Sequence, residues 1–246
     1  MFPIRDHNPS GRRPFVTLAL IALNIGIFLA YYPGASDGQL ARTWMDWALI
    51  PGLITGGSHP WTLLTHMFLH GGWMHLAGNM LFLWIFGDNL EAEMGPLPYL
   101  GFYLLSGLAA AALQILAEPG SPVPMVGASG AIAGVMGGYL LLYPRARVDV
   151  LLILVIFFKI FTLPAWIVLG LWIGVQLFAG LAVQGDEGIA YFAHIGGFFA
   201  GIALALPLWW RLGARRLWTR TAGQPPHPVA RYPLGVSSVP RTGRRR

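Results

Sequence analysis

The distribution of charge constrains this chain more than any other feature. Only 26 of its 246 residues are Lys, Arg, Asp or Glu. They are almost absent from six long apolar stretches, at roughly 15–32, 73–90, 98–117, 127–143, 164–183 and 189–210. A soluble domain carries about 25% charged residues, and here the share is 11%. An apolar run of about 18 residues with few charges is long enough to cross a bilayer as a helix. A disordered chain, a coiled coil and an ordinary soluble enzyme are therefore excluded. The 32 Gly and 19 Pro would suggest low complexity in water, but both are frequent in membrane helices.

The pattern predicts an all-α polytopic membrane protein, a bundle of six transmembrane helices in three parts. Residues 1–14 form a cytoplasmic segment, 15–211 the membrane domain, and 212–246 a basic, Pro- and Arg-rich cytoplasmic tail expected to be disordered. The first apolar run follows Arg5, Arg12 and Arg13 and leads into Tyr31-Tyr32-Pro33 rather than a small-residue cleavage site. It reads as an anchor, not a signal peptide. The 33–72 stretch sets Trp44, Trp47 and Trp61 among Pro, Gly and Ser, which suits a loop lying on or in the bilayer interface. The run 148–161 is short for a span, holds Lys159 and is closed by Pro164. It is expected to be interfacial. A seventh span there is the competing reading, and it would invert everything downstream.

Charge supports six spans with both termini in the cytoplasm. Fifteen of the 16 basic residues then lie inside, and only Arg42 lies outside, as the positive-inside rule requires. The net charge of +6 is thus largely topology. No nucleic-acid motif accompanies it, although the tail could touch anionic headgroups. With no cysteines, disulfides, thiol catalysis, iron–sulfur clusters and Cys-based zinc sites are excluded.

Polar side chains inside a membrane are costly and point to function. His75 and Asn79 share one helix face four residues apart and can both donate hydrogen bonds. They could hold a developing negative charge or serve as interhelical glue. His66 and His70, with His59 and His75 nearby, raise a zinc alternative. However, Met67 stands where a metalloprotease helix needs Glu, and no metal is expected. Ser129 follows a Pro-rich turn near a predicted helix start, where unpaired N–H groups and the positive dipole end gather. His194 is a lone imidazole in an apolar run. Gly197 and Gly201 beside it form a small-residue stripe, matched by Gly130, Gly134 and Gly138, that would let two helices approach closely. Counted from Pro124 and Glu187, Ser129 and His194 lie at similar depths, roughly 8–10 Å below the outer boundary at 1.5 Å per residue. Serine beside a base is the requirement for nucleophilic catalysis. With no nearby intramembrane carboxylate, the chemistry would be that of a dyad, reached by water through an outward cavity.

Taken in order, Gly127-Ala128-Ser129-Gly130, Ala193-His194 with Gly197 and Gly201, His70…His75…Asn79 and Gly87-Asp88-Asn89-Leu90-Glu91 resemble the rhomboid family of intramembrane serine proteases. The resemblance covers about residues 60–205. It implies a compact six-helix fold with a membrane-embedded loop after the first span. It also implies Ser129 as nucleophile and His194 as base, then acid. His75, Asn79 and the Ser129 amide would form the oxyanion hole, with Gly127, Gly130, Gly197, Gly201 and His70 in support. Implied substrates are transmembrane proteins, usually single-span, cut near the outer boundary, with neither cofactor nor metal required. Some members carry a Tyr four residues after the nucleophile, stacked on the base. Here that residue is Ala133, so another group must hold His194.

Other classes make distinct predictions. A non-catalytic chaperone or adaptor tolerates Ser129→Ala, and a transporter shows solute flux and ideally an inverted repeat. A metal-dependent hydrolase is sensitive to chelators, and an aspartyl class needs two intramembrane aspartates, which are not found. One Lys against 15 Arg fits a GC-rich bacterial genome and hence a bacterial plasma membrane.

Overall fold

The computed structural model describes residues 2–7, 9–154, 157–182 and 190–228. Strand β1 (Phe2–Asp6) precedes helix α1 (Phe15–Tyr31). The following loop holds three short helices, α2 (Asp37–Trp47), α3 (Pro51–Thr55) and α4 (Thr62–Thr65), and a 3₁₀ turn at His66–Phe68. Then come α5 (Trp73–Met94), α6 (Pro96–Ala117) and α7 (Ser129–Leu142). A hairpin of β2 (Arg147–Leu154) and β3 (Phe157–Pro164) leads to α8 (Ala165–Ala182), α9 (Tyr191–Arg211) and α10 (Arg215–Thr221). Helices occupy all six of the predicted apolar intervals. By length and composition α6, α8 and α9 can cross a membrane, whereas α1 and α7 are apolar but shorter. The 22-residue α5 carries Asp88, Glu91 and Glu93 near its end. Gly95, at φ +83°, is the only residue between α5 and α6. This left-handed turn suits Gly, and Pro96 sits where its missing N–H costs nothing.

Helix α7 is the centre of the bundle, and most of its residues are buried. The predicted small-residue stripes meet. A Cβ added to Gly197 would overlap the Gly130 carbonyl, and one added to Gly201 would overlap the Gly134 carbonyl. Gly137, which the stripe did not include, faces the Phe198 carbonyl just as closely. Backbone thus packs on backbone between α7 and α9, as small residues permit in membrane bundles.

The opposite end, where α5 finishes and α1 begins, is tied by polar groups. The Glu91 carboxylate accepts from Val16 N, Thr17 N and Thr17 Oγ, each at 2.8 Å. It therefore caps α1, whose own N-cap is Pro14 and supplies no side-chain bond. Asp88 accepts from Ser10 N at 2.9 Å, and Asn89 Nδ2 donates to Asp6 at 2.8 Å. The acidic run singled out in the sequence thus clasps the N-terminal segment.

Two expectations are corrected here. The fold is mostly helical rather than all-α, because β1, β2 and β3 form an antiparallel sheet in that order. The run 148–161 is rich in β-branched and aromatic residues, which favour strands, and it pairs with itself. Its described residues are strand and hold no seventh helical span. The hairpin returns the chain to the end it left, since Ala165 N donates to Ala146 O at 2.8 Å and Trp166 N to Pro144 O at 2.9 Å. The tail is not structureless from 212 onward. In α10, Leu217 is buried and Trp218 Nε1 donates to Leu141 O at 3.0 Å. Residues 229–246 and 183–189, the latter including Glu187, lie outside the described residues.

Asp149 holds the sheet to the N-terminus through Arg5 and His7, each at 2.7 Å, and Thr162 at 2.6 Å. Burial alone would raise its carboxyl, but Thr162, His7 and Arg5 together hold it below the usual carboxylate range. This contribution to stability is complete above the ordinary value of 3.8 and is lost only as pH falls through the depressed folded value. Asp149→Asn should cost about 2 kcal/mol at neutral pH. Thermal unfolding in detergent checks it, with the difference shrinking under strong acidification. Gly197→Ala should cost about 3 kcal/mol or more through overpacking. Gly26→Ala, with open space around the added methyl, should be neutral or stabilising in the same assay.

Candidate active site

At the other end of the bundle, α7 starts at Ser129. Ser129 is the first residue of the helix, so its N–H belongs to the turn that lacks intrahelical acceptors. The segment before it is held in place by backbone. Leu49 and Met125 exchange hydrogen bonds at 3.0 and 2.7 Å, Gly52 N donates to Ser121 O at 3.0 Å, and Gly127 N donates to His66 O at 2.9 Å. The loop after α1 therefore braces the approach to Ser129. Tyr31 anchors that loop in turn, donating to His70 O at 2.6 Å and accepting from His70 N at 2.7 Å.

Helix α9 delivers His194 from the other side. Its first turn is fixed by Gln114 of α6, whose Oε1 accepts from Ala193 N at 3.1 Å. His194 Nε2 lies 2.8 Å from Ser129 Oγ. The other ring nitrogen, Nδ1, lies 2.7 Å from Gln176 Oε1 on α8. An amide oxygen only accepts, so Nδ1 carries the proton and Nε2 accepts from the Ser129 hydroxyl. The ring of Trp172, one turn before Gln176, lies 5.7 Å from His194 and tilted by 41°.

His75 occupies the third side. Gly71 N donates to its Nδ1 at 3.3 Å, which leaves the proton on Nε2. A Cβ at Gly127 would come within 2.8 Å of that Nε2 and 3.4 Å of Ser129 Oγ, so the imidazole and the hydroxyl converge over Gly127. At φ +130° Gly127 also adopts a backbone conformation that disfavours a side chain. Asn79, one turn on from His75, is buried and donates one amide hydrogen to His75 O at 3.1 Å. All four groups line one cavity of about 640 Å³, whose apolar wall includes Phe82, Met136 and Trp172.

The family model described as the Rhomboid domain matches residues 57–211. The chain belongs to the rhomboid family. It is 32% identical over 206 residues to "Rhomboid protease GluP" of Bacillus subtilis, covering 83% of this chain and 38% of that one. It is 34% identical over 127 residues to "Putative rhomboid protease YdcA" of the same organism, covering 52% and 61%. It is also 33% identical over 165 residues to "RHOMBOID-like protein 6, mitochondrial" of Arabidopsis thaliana, covering 67% and 47%. The chain thus spans less than two thirds of the length of these relatives. Family membership and the apolar helices make this rhomboid an integral membrane protein.

Within this rhomboid, Ser129, His194, His75, Asn79 and Gly127 converge, while Gly130, Gly197 and Gly201 form the helix contact beneath them. His70 stands behind, fully enclosed, with its ring 5.2 Å from that of His75. Burial and the neighbouring His75 push its imidazole down to about 3, so it stays neutral at physiological pH. The other members of the suggested zinc set have different occupations. His66 Nδ1 donates to Thr62 O at 2.8 Å, and the His59 ring packs 4.9 Å from Trp61. Gln114, Trp172 and Gln176 were missed in the sequence. Gln176 had a signal, being the single amide in the apolar run Ala165–Ala182.

Proposed function

We propose that this rhomboid is an intramembrane serine endopeptidase that works through a Ser129–His194 dyad and an acyl-enzyme. The observation that carries the reading is the 2.8 Å contact between Ser129 Oγ and His194 Nε2 inside a cavity. A hydroxyl already donating to a neutral imidazole is the arrangement an activated nucleophile needs. In acylation, Ser129 Oγ attacks the peptide carbonyl carbon and its proton passes to His194 Nε2. The oxygen gains negative charge and is held by the Ser129 N–H, His75 Nε2–H and the free Asn79 amide hydrogen. The imidazolium then protonates the leaving amine. Water then attacks the acyl carbon, giving its proton to Nε2, and that proton passes to Ser129 Oγ as the acyl–oxygen bond breaks.

In this reading six helices cross the membrane and both termini are cytoplasmic. The cavity opens to the outer side of a bacterial plasma membrane. Substrates are transmembrane proteins, most often single-span, cut near the outer boundary where the helix is easily unwound. The basic residues support this orientation, and relatives named as rhomboid proteases support the activity. Adaptor and transporter readings leave the serine–imidazole contact without a purpose.

Cleavage of a single-span substrate in proteoliposomes tests the proposal. Ser129→Ala and His194→Ala should each lower the rate by at least about 10³-fold, with EDTA without effect. Cleavage that survives Ser129→Ala overturns the reading. Gly127→Ala should displace the His75 ring and lower kcat about 10²-fold, the scale of losing one oxyanion donor. An unchanged kcat would remove His75 from the mechanism.

A further inference from the structure

Helix α8 is the most outward-facing of the long helices. Trp166, Leu171, Val175, Phe178 and Leu181 are all exposed. Its inward stripe is Ala165, Leu169, Ile173 and Gln176. Three of these four residues are apolar. The fourth is an amide at the level of His194, buried to 9% exposure and hydrogen-bonded to the ring nitrogen that the dyad does not use. Packing alone would favour a fourth apolar residue here, because a buried amide must find a partner or be destabilising.

We propose that Gln176 is a positioning residue of the site, the neutral third member of a Ser129–His194–Gln176 relay of hydrogen bonds. Its side-chain oxygen accepts the Nδ1 proton of His194 and so fixes the tautomer whose Nε2 can take the Ser129 proton. The inference rests on the dyad reading above.

Neutral imidazole has one donor and one acceptor nitrogen. Left alone in an apolar wall, the ring could carry its proton on Nε2 and present N–H to Ser129, and the hydroxyl could not then be deprotonated. In soluble serine proteases a buried carboxylate prevents this by holding the ring in the working tautomer. Neither α8 nor α9 carries Asp or Glu, and an ionised carboxylate within a membrane is costly. An amide oxygen orients the ring without burying a charge. Trp172, one turn earlier on the same helix, closes the ring from the side. Helix α8 therefore supplies both contacts that hold the base, and Ala133 has no need of a larger side chain.

The test is kcat and KM for cleavage of a single-span substrate in proteoliposomes by wild type, Gln176→Met, Gln176→Glu and Ser129→Ala, with thermal unfolding of each. Gln176→Met keeps the length and removes the acceptor. It should lower kcat about 10- to 100-fold with KM within about twofold, a part of the roughly 10²- to 10⁴-fold that a positioned base contributes. Gln176→Glu is acceptor-only when ionised and should restore kcat to within a few fold of wild type. A purely structural glutamine predicts the opposite order, because Met suits an apolar environment better than Glu. Wild-type kcat in Gln176→Met, or a Gln176→Glu variant that folds but is as slow as Gln176→Met, overturns the inference. Should the Glu variant not fold, kcat of the Met variant alone decides. Cleavage that persists in Ser129→Ala overturns the dyad itself, which is a distinct failure.

Discussion

The backbones of α7 and α9 touch, and the placement of His194 over Ser129 follows from that contact. Gly130 and Gly134 on one helix face Gly197 and Gly201 on the other, and methyl groups at Gly197 or Gly201 would meet carbonyl oxygens. Ordinary helix pairs stand 8–10 Å apart because side chains lie between them. At that spacing a serine and a histidine at two helix starts would need a bridge. With the side chains removed, the hydroxyl and imidazole reach each other directly at 2.8 Å. Glycine is a poor helix former, so this geometry depends on surroundings that hold the helices without help from propensity.

Those surroundings are divided between the two ends of the bundle. At the end away from the site, buried carboxylates and amides secure the N-terminal segment, with Glu91 replacing the cap that Pro14 cannot give α1 and Asp149 tying β1 to the hairpin. At the site end, the loop after α1 is fastened mostly by main-chain hydrogen bonds and by Tyr31. A reactive site needs side-chain hydrogen-bonding groups that are not already saturated, and backbone bracing leaves Ser129, His75 and Asn79 available. The cavity wall is otherwise largely apolar, which strengthens whatever electrostatic contacts form inside it.

Much of this was legible in the sequence because membranes simplify the code. Apolar run length located α1 and α5 to α9, and the positions of the small residues foretold the α7–α9 contact. Ser129, His75, Asn79 and His194 stood out because polar groups are expensive in such runs. The hairpin was less legible. Its apolar run resembles a short span, its β-branched and aromatic residues only lean towards strand, and pairing between residues far apart in sequence, Phe2 with Leu151 for example, makes it one. The structured part of the tail was hidden by its Arg-rich composition, since Leu217 and Trp218 find their partners on α7 and its neighbours. Gln176 was overlooked for a different reason. A single amide in an apolar helix has no sequence-local partner, and its relation to His194 appears only once α8 is packed beside α9.

The central claim is that close helix contact produces an activated serine, and the most direct measurement is the site of attack by a serine-directed fluorophosphonate on the intact protein in membranes. Peptide mass spectrometry after labelling should place the adduct on Ser129. Labelling should fall to background in His194→Ala while that variant still unfolds cooperatively. An adduct on another residue, or undiminished labelling of Ser129 without His194, would contradict the account.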